Sequence, residues 1–163
     1  MATTTANLYE IMFLVGQATA ANLTGVLEHI NTLLERAGAE TIAMQKWDER
    51  RLAYEIEKQK RGMFILTYAK LAPEAVAGLE RDCNLSEQIM RVLILRADHL
   101  TEEEAAAFDR RDDLVAEAKM RAEAGEAESE QARAMATLGA PPQEEDATED
   151  LDSTGDDEDL DEE

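Results

Sequence analysis

The chain has 163 residues and a formal net charge of −21, a length that excludes two full-sized domains. Its single cysteine, Cys83, excludes an internal disulfide framework and suits a reducing compartment. The charge is uneven: residues 1–98 hold 11 Lys and Arg against 13 Asp and Glu, and residues 99–163 hold 5 against 24, so the acidity excludes an anionic partner only for the rear part.

Residues 1–6 are small and uncharged and lack the basic start of a secretory signal. Leu8 to Val15 reads as a strand, with Tyr9, Ile11, Phe13 and Val15 on one face and Leu8, Met12 and Leu14 on the other. Its run Ile11–Val15 is the longest fully apolar stretch, far below the roughly 20 residues that a bilayer crossing takes. The expectation is a soluble cytoplasmic protein with no membrane partner. Gly16 to Thr19 reads as a loop. Leu23, Val26, Leu27, Ile30, Leu33, Leu34 and Ala37 then recur at helical spacing, and Gly38 stands where a C-terminal cap takes a left-handed residue.

Ala39 to Trp47 reads as a second strand that continues through a basic segment to Glu57, where Leu52, Tyr54 and Ile56 alternate as in a half-buried strand. Gly62 is read as the turn, and Met63 to Leu71 as a third strand. Pro73 suits the first turn of a second helix, whose inner face is Ala75, Val76, Leu79 and Cys83, with Asn84 as a left-handed terminator. Ile89 to Ala97 is a last strand, in which alternation puts Arg91 and Arg96 on opposite faces.

The order β-α-β-β-α-β, with right-handed crossovers, gives an α+β ferredoxin-like split arrangement: a four-stranded antiparallel sheet with two helices on one face. This domain spans 7–98. Residues 99–138 read as a helical extension, opened by the capping pattern Thr101-Glu102-Glu103-Glu104 and stopped by Pro141 and Pro142. Residues 139–163 read as a disordered acidic tail.

Tyr9-Glu10-Ile11-Met12, Trp47 followed by Arg50-Arg51-Leu52-Ala53-Tyr54, the basic hairpin reaching Gly62, and Asn84-Leu85-Ser86-Glu87 leading into Met90-Arg91 together resemble the family of the sixth protein of the bacterial small ribosomal subunit. The resemblance covers roughly 7–98. It implies the ferredoxin-like fold and a structural role without catalysis. It also implies binding to the central domain of small-subunit ribosomal RNA together with the small basic eighteenth protein of that subunit. Where the family commonly has glycine and a basic residue after the tryptophan, this chain has Asp48 and Glu49.

Arg50, Arg51, Lys58, Lys60 and Arg61 are candidates for RNA phosphate, since guanidinium offers a planar fork and ammonium a point charge. The competing reading is a solvated hairpin whose Glu49, Glu55 and Glu57 pair with these bases. Arg91 and Arg96 sit in an otherwise apolar strand and need RNA, a partner protein or an internal acid. Trp47 and Tyr54 either stack on bases or form a packing shelf. The strands lack the aromatic-rich signatures of the RNA-recognition motif, which favours phosphate and shape over base stacking.

His29 and His99 have no Cys or His at ligand spacing, so no metal, cofactor or small-molecule substrate is expected. Cys83 belongs to the packed stripe of its helix. The acylphosphatase topology needs an arginine after the first strand, and Gly16 to Ala20 supplies none. The acidic tail has three readings: solubility, contact with basic ribosomal proteins, or return onto the basic hairpin. The functional alternative to the ribosomal reading is a regulatory domain that dimerises through its sheet and binds a small molecule.

Overall fold

The computed structural model describes residues 6–138, so the acidic tail read over 139–163 lies outside the described residues. Four strands, β1 (Asn7–Gly16), β2 (Glu40–Ile56), β3 (Gln59–Leu71) and β4 (Arg91–Arg96), form one antiparallel sheet in the order β2-β3-β1-β4. Helices α2 (Leu23–Arg36) and α3 (Pro73–Asn84) cover one face, which is the expected split β-α-β arrangement.

The covered face follows from alternation. Ile11, Phe13 and Val15 of β1 and Met63 and Ile65 of β3 are fully buried against Leu23, Val26, Ile30 and Leu34 of α2. Burying each such side chain contributes about 1.5–3 kcal/mol. The α2 stripe is the one the periodicity predicts, with Asn22 accepting the Gly25 N–H at its start. Gly38 closes it with φ +69, in the region where glycine pays no Cβ penalty.

Four local expectations are corrected. Gly16 to Thr19 is not a loop: β1 runs to Gly16, and Gln17–Ala20 forms a short helix, α1, that buries Ala20. Asn84 is the last residue of α3 rather than a left-handed terminator, because α3 ends with Leu85 in ordinary right-handed geometry (φ −85). The turn between β2 and β3 lies at Glu57-Lys58, not at Gly62. Ile56 pairs with Gln59, and the two residues between them have φ 49 and 63, the signature of a tight type I′ hairpin loop. Gly62 instead sits within β3, where a Cβ would lie 2.6 Å from Leu14 Cδ1 and 3.1 Å from the Val15 carbonyl oxygen.

The fourth correction concerns the extension, which is two helices rather than one. The Thr101–Glu104 capping box opens α4 (Glu102–Ala106), and after a break at Phe108-Asp109 comes α5 (Arg111–Leu138). Helix α4 turns onto the second face of the sheet. There Ala105 and Leu100 pack with Ala43, Leu66 and Tyr68, Phe108 lies 5.7 Å from the Tyr68 ring, and Lys70 pairs with Glu102.

Left-handed geometry costs L-residues about 1 kcal/mol each, and Asn-Gly carries it best. Glu57→Asn with Lys58→Gly is therefore expected to raise stability by about 1 kcal/mol, read as a shift in urea midpoint at constant slope.

Candidate nucleic-acid interface

The candidate site is the end of the β2–β3 ribbon. Strand β1 ends at Gly16, opposite Gly62, and Gly62 pairs with Arg50. From Arg51 onward in β2, and before Gly62 in β3, no third strand stands beside them among the described residues, and the two project as a two-stranded arm. Arg51 pairs with Arg61, the register then breaks, and Ile56 pairs with Gln59. Leu52 to Glu55 thus form an enlarged bulge, which throws Ala53, Tyr54 and Glu55 to the surface.

The basic residues of this arm are not held in ion pairs, although Glu55 and Glu57 lie within it. Among the described residues, Arg51, Lys58, Lys60, Arg61 and Arg91 form no ion pair, and Glu55 and Glu57 pair with none of them. Arg51 and Arg61 are cross-strand neighbours of like charge, an arrangement that repels in the free protein. Lys58 stands at the tip, in the turn itself, while Lys60 and Arg61 border a recess with Gln17 and Ala18.

Arg50 differs. It reaches Asp48 at 3.3 Å, and its guanidinium lies 5.8 Å from the Trp47 ring centre. Trp47 occupies a bulge between the pairs Lys46–Ile65 and Asp48–Phe64. Its ring meets Phe64 edge-on at 5.7 Å, yet it remains 51% exposed. It is therefore both a shelf and an accessible aromatic surface. Tyr54 is 68% exposed and borders a groove of about 430 Å³ with Leu14, Phe64, Arg50, Arg51 and Arg91.

Arg91 pairs with Leu14 and lies on the face turned away from α2 and α3, so the fold brings it to the hairpin groove. Arg96 pairs with Tyr9 at the far end of the sheet and holds Asp98 at 2.6 Å, so the fold does not bring it to this site. Cys83 is buried, and its thiol is pushed up to about 11 by burial and by Asp82 and Glu80, which makes it a packing residue.

A quartet the sequence reading missed stands beside the arm. Lys46 and Glu49 of β2 meet Glu117 and Arg121 of α5: Lys46–Glu49 at 2.9 Å, Lys46–Glu117 at 2.7 Å, Arg121–Glu49 at 2.6 Å and Arg121–Glu117 at 2.7 Å. Arg121 also donates to the Ala20 carbonyl at 3.2 Å. Glu49, two residues after Trp47, is thus held by a base from the extension. Glu117 and Arg121 were legible as an i,i+4 helix pair; their long-range partners were not.

Burial pushes the Glu49 and Glu117 carboxyls up, but bonds and charge from Lys46 and Arg121 outweigh it and hold both below the ordinary glutamate value. A depressed folded-state pKa gives stability that is fully present above the ordinary value of 4.5 and is lost as the pH falls through the lowered one. Amide hydrogen exchange of α5 is expected to quicken relative to α2 as the pH is taken below the ordinary glutamate value of 4.5, and equal quickening in both helices would deny the quartet its anchoring role.

The family model of ribosomal protein S6 matches residues 8–96. Small ribosomal subunit protein bS6 of Desulforamulus reducens is 36% identical over 89 residues, spanning 54% of this chain and 94% of that one. The bS6 protein of Methylorubrum extorquens is 32% identical over 106 residues, spanning 64% of this chain and 70% of that one. The crystal structure of 30S ribosomal protein S6 from Thermotoga maritima shares the fold, with a TM-score of 0.54 at 21% identity, covering 63% of this chain and 98% of that one. The matched segment runs from β1 through β4 and contains the whole basic arm, and on that match the chain belongs to the ribosomal protein S6 family.

Proposed function

We propose that this protein is a structural constituent of the small ribosomal subunit. In this reading it sits in the cytoplasmic ribosome, binds the central domain of small-subunit ribosomal RNA, and does so together with the eighteenth protein of that subunit. It has no catalytic role. The observation that carries the reading is the projecting arm, whose Arg51, Lys58, Lys60 and Arg61 lack acidic partners among the described residues although the chain as a whole has an excess of acid. Unpaired surface cations beside exposed aromatics suit phosphate contact with limited stacking. Arg50, Tyr54 and Arg91 line the adjoining groove and would meet RNA there, with Trp47 exposed beside Arg50, whereas Arg96 would serve the far end of the sheet.

The sheet-to-sheet dimer needs an open apolar face, and α4 already covers part of that face with Ala105 and Leu100. The ribosomal reading therefore stands ahead of it. It is tested by titrating salt against binding to the central-domain RNA fragment, with and without the eighteenth protein. Tight binding that requires the partner and weakens with salt is the expected result. A folded protein that binds under neither condition would overturn the reading.

A further inference from the structure

The basic arm has a candidate occupant in the same molecule. Helix α5 starts beside the early part of β2, where the Arg110 N–H donates to the Met44 carbonyl and Arg111 donates to that of Ile42. Six to eleven residues on, Glu117 and Arg121 meet Lys46 and Glu49. The helix thus follows β2 in the direction of its chain, toward the hairpin. It then passes α1: Ala18 borders both the groove against Ala122 and Gly125 and the recess formed with Lys60 and Arg61. From Ala122 to Met135 every residue of α5 is exposed, Glu123, Glu126, Glu128 and Glu130 among them. The extension therefore leaves the domain at the end that carries the unpaired bases. It leads into residues 139–163, which hold 13 Asp and Glu and no Lys or Arg.

We propose that the acidic segment 139–163 docks along Arg51, Lys58, Lys60 and Arg61 and occupies the hairpin as a stand-in for RNA until ribosomal RNA displaces it. The inference rests on the reading that this hairpin meets RNA phosphate. Reach is sufficient, since α5 continues about 26 Å past Arg121 and the following 25 residues span up to about 80 Å when extended. Charge is complementary, as the strip carries Arg51, Lys58, Lys60 and Arg61 against Glu55 and Glu57, which pair with none of them among the described residues. Tethering supplies the concentration: a segment held at roughly millimolar effective concentration competes with nonspecific RNA, whose dissociation constants lie near 10⁻⁴–10⁻⁶ M, and yields to a tighter specific site. The quartet sets the direction, because it fixes where the arm leaves the domain.

The test uses the full chain, treated with a carbodiimide that joins lysine to carboxylate at contact distance and analysed by mass spectrometry as the monomer. The expected result is crosslinks from Lys58 and Lys60 to residues 144–163, in excess of those from Lys119, and lost in high salt. A full-length variant with the tail acids changed to Asn and Gln should bind polyuridine about tenfold more tightly at low salt, with the difference closing as salt rises. Tail crosslinks confined to Lys119, or found only in dimers, would overturn the proposal, as would unchanged polyuridine affinity. If the crosslinks form but hairpin substitutions leave binding to the central-domain fragment intact, the RNA reading of the hairpin fails, and the tail's role as a stand-in for RNA fails with it. If the crosslinks are absent while those substitutions abolish fragment binding, the hairpin reading survives and only the docked tail is lost.

Discussion

Neutralising both members of the cross-strand pair, Arg51→Gln with Arg61→Gln, is expected to weaken binding to the central-domain RNA fragment by at least about 100-fold at fixed salt. It should also flatten the dependence of log affinity on log salt by about 2. Each arginine sits exposed on the projecting arm with no acid partner among the described residues, so each can take a phosphate. A charge-assisted bond to phosphate is worth about 1.5–3 kcal/mol, and two of them account for the loss. The same substitutions remove a like-charge contact between neighbouring strands, so stability should stay level or rise by about 0.2–1 kcal/mol. Weaker binding in a protein at least as stable separates an RNA contact from a folding defect. Undiminished affinity with an unchanged salt slope would remove these two residues from the interface.

The architecture was legible because the strongest sequence signals were the ones that set it. The alternation of Tyr9, Ile11, Phe13 and Val15, and the 3.6-residue stripe from Leu23 to Leu34, fix which face of each element is buried. Element ends were less legible because they depend on close approach between strands. Gly62 looked like a turn residue because glycine is common in turns. Its actual constraint is Leu14 and the Val15 carbonyl packed above it. The true turn at Glu57-Lys58 uses two residues with no intrinsic taste for positive φ, so only the strand register reveals it. The break between α4 and α5 has a similar cause. The Asp109 carboxylate accepts from the distant Met44 N–H and from the nearby Arg111 side chain, and the tertiary bond to Met44 helps stop one helix and start the next.

Sequence gathered Arg50, Arg51, Lys58, Lys60 and Arg61 into one hairpin, but it could not say which acids lay beside them. Glu49 appeared available to neutralise the arm from within two residues of Arg51. The fold instead assigns it to Arg121, 72 positions away, and leaves Arg51 and Arg61 outside any ion pair among the described residues. Arg91 and Arg96 looked equivalent in an apolar strand. The pairing of β4 with β1 sends one to the hairpin groove and the other to Asp98 at the opposite end.

The second large effect concerns the extension, and it sets two neighbouring residues against each other. Leu114 of α5 is 2% exposed and packs in the same cluster as Leu23 and Val26 of α2, whereas Val115 is 64% exposed. Leu114→Ala removes buried methyl groups and leaves a cavity that backbone shifts fill only in part, which costs about 2–5 kcal/mol. For a domain of this size that is a fall in melting temperature of roughly 10–20 °C. Val115→Ala alters a solvated face and should stay within about 0.5 kcal/mol of the parent. Cutting the chain after residue 98 should cost at least as much as Leu114→Ala, because it also removes Ala105 and Ala118 and strips Lys46 and Glu49 of two of their partners. If Leu114→Ala melted with Val115→Ala, near the parent, α5 would be a solvated appendage despite its buried contact. The expected separation would instead make the extension part of the cooperative unit, holding it where it leaves the domain beside the basic arm.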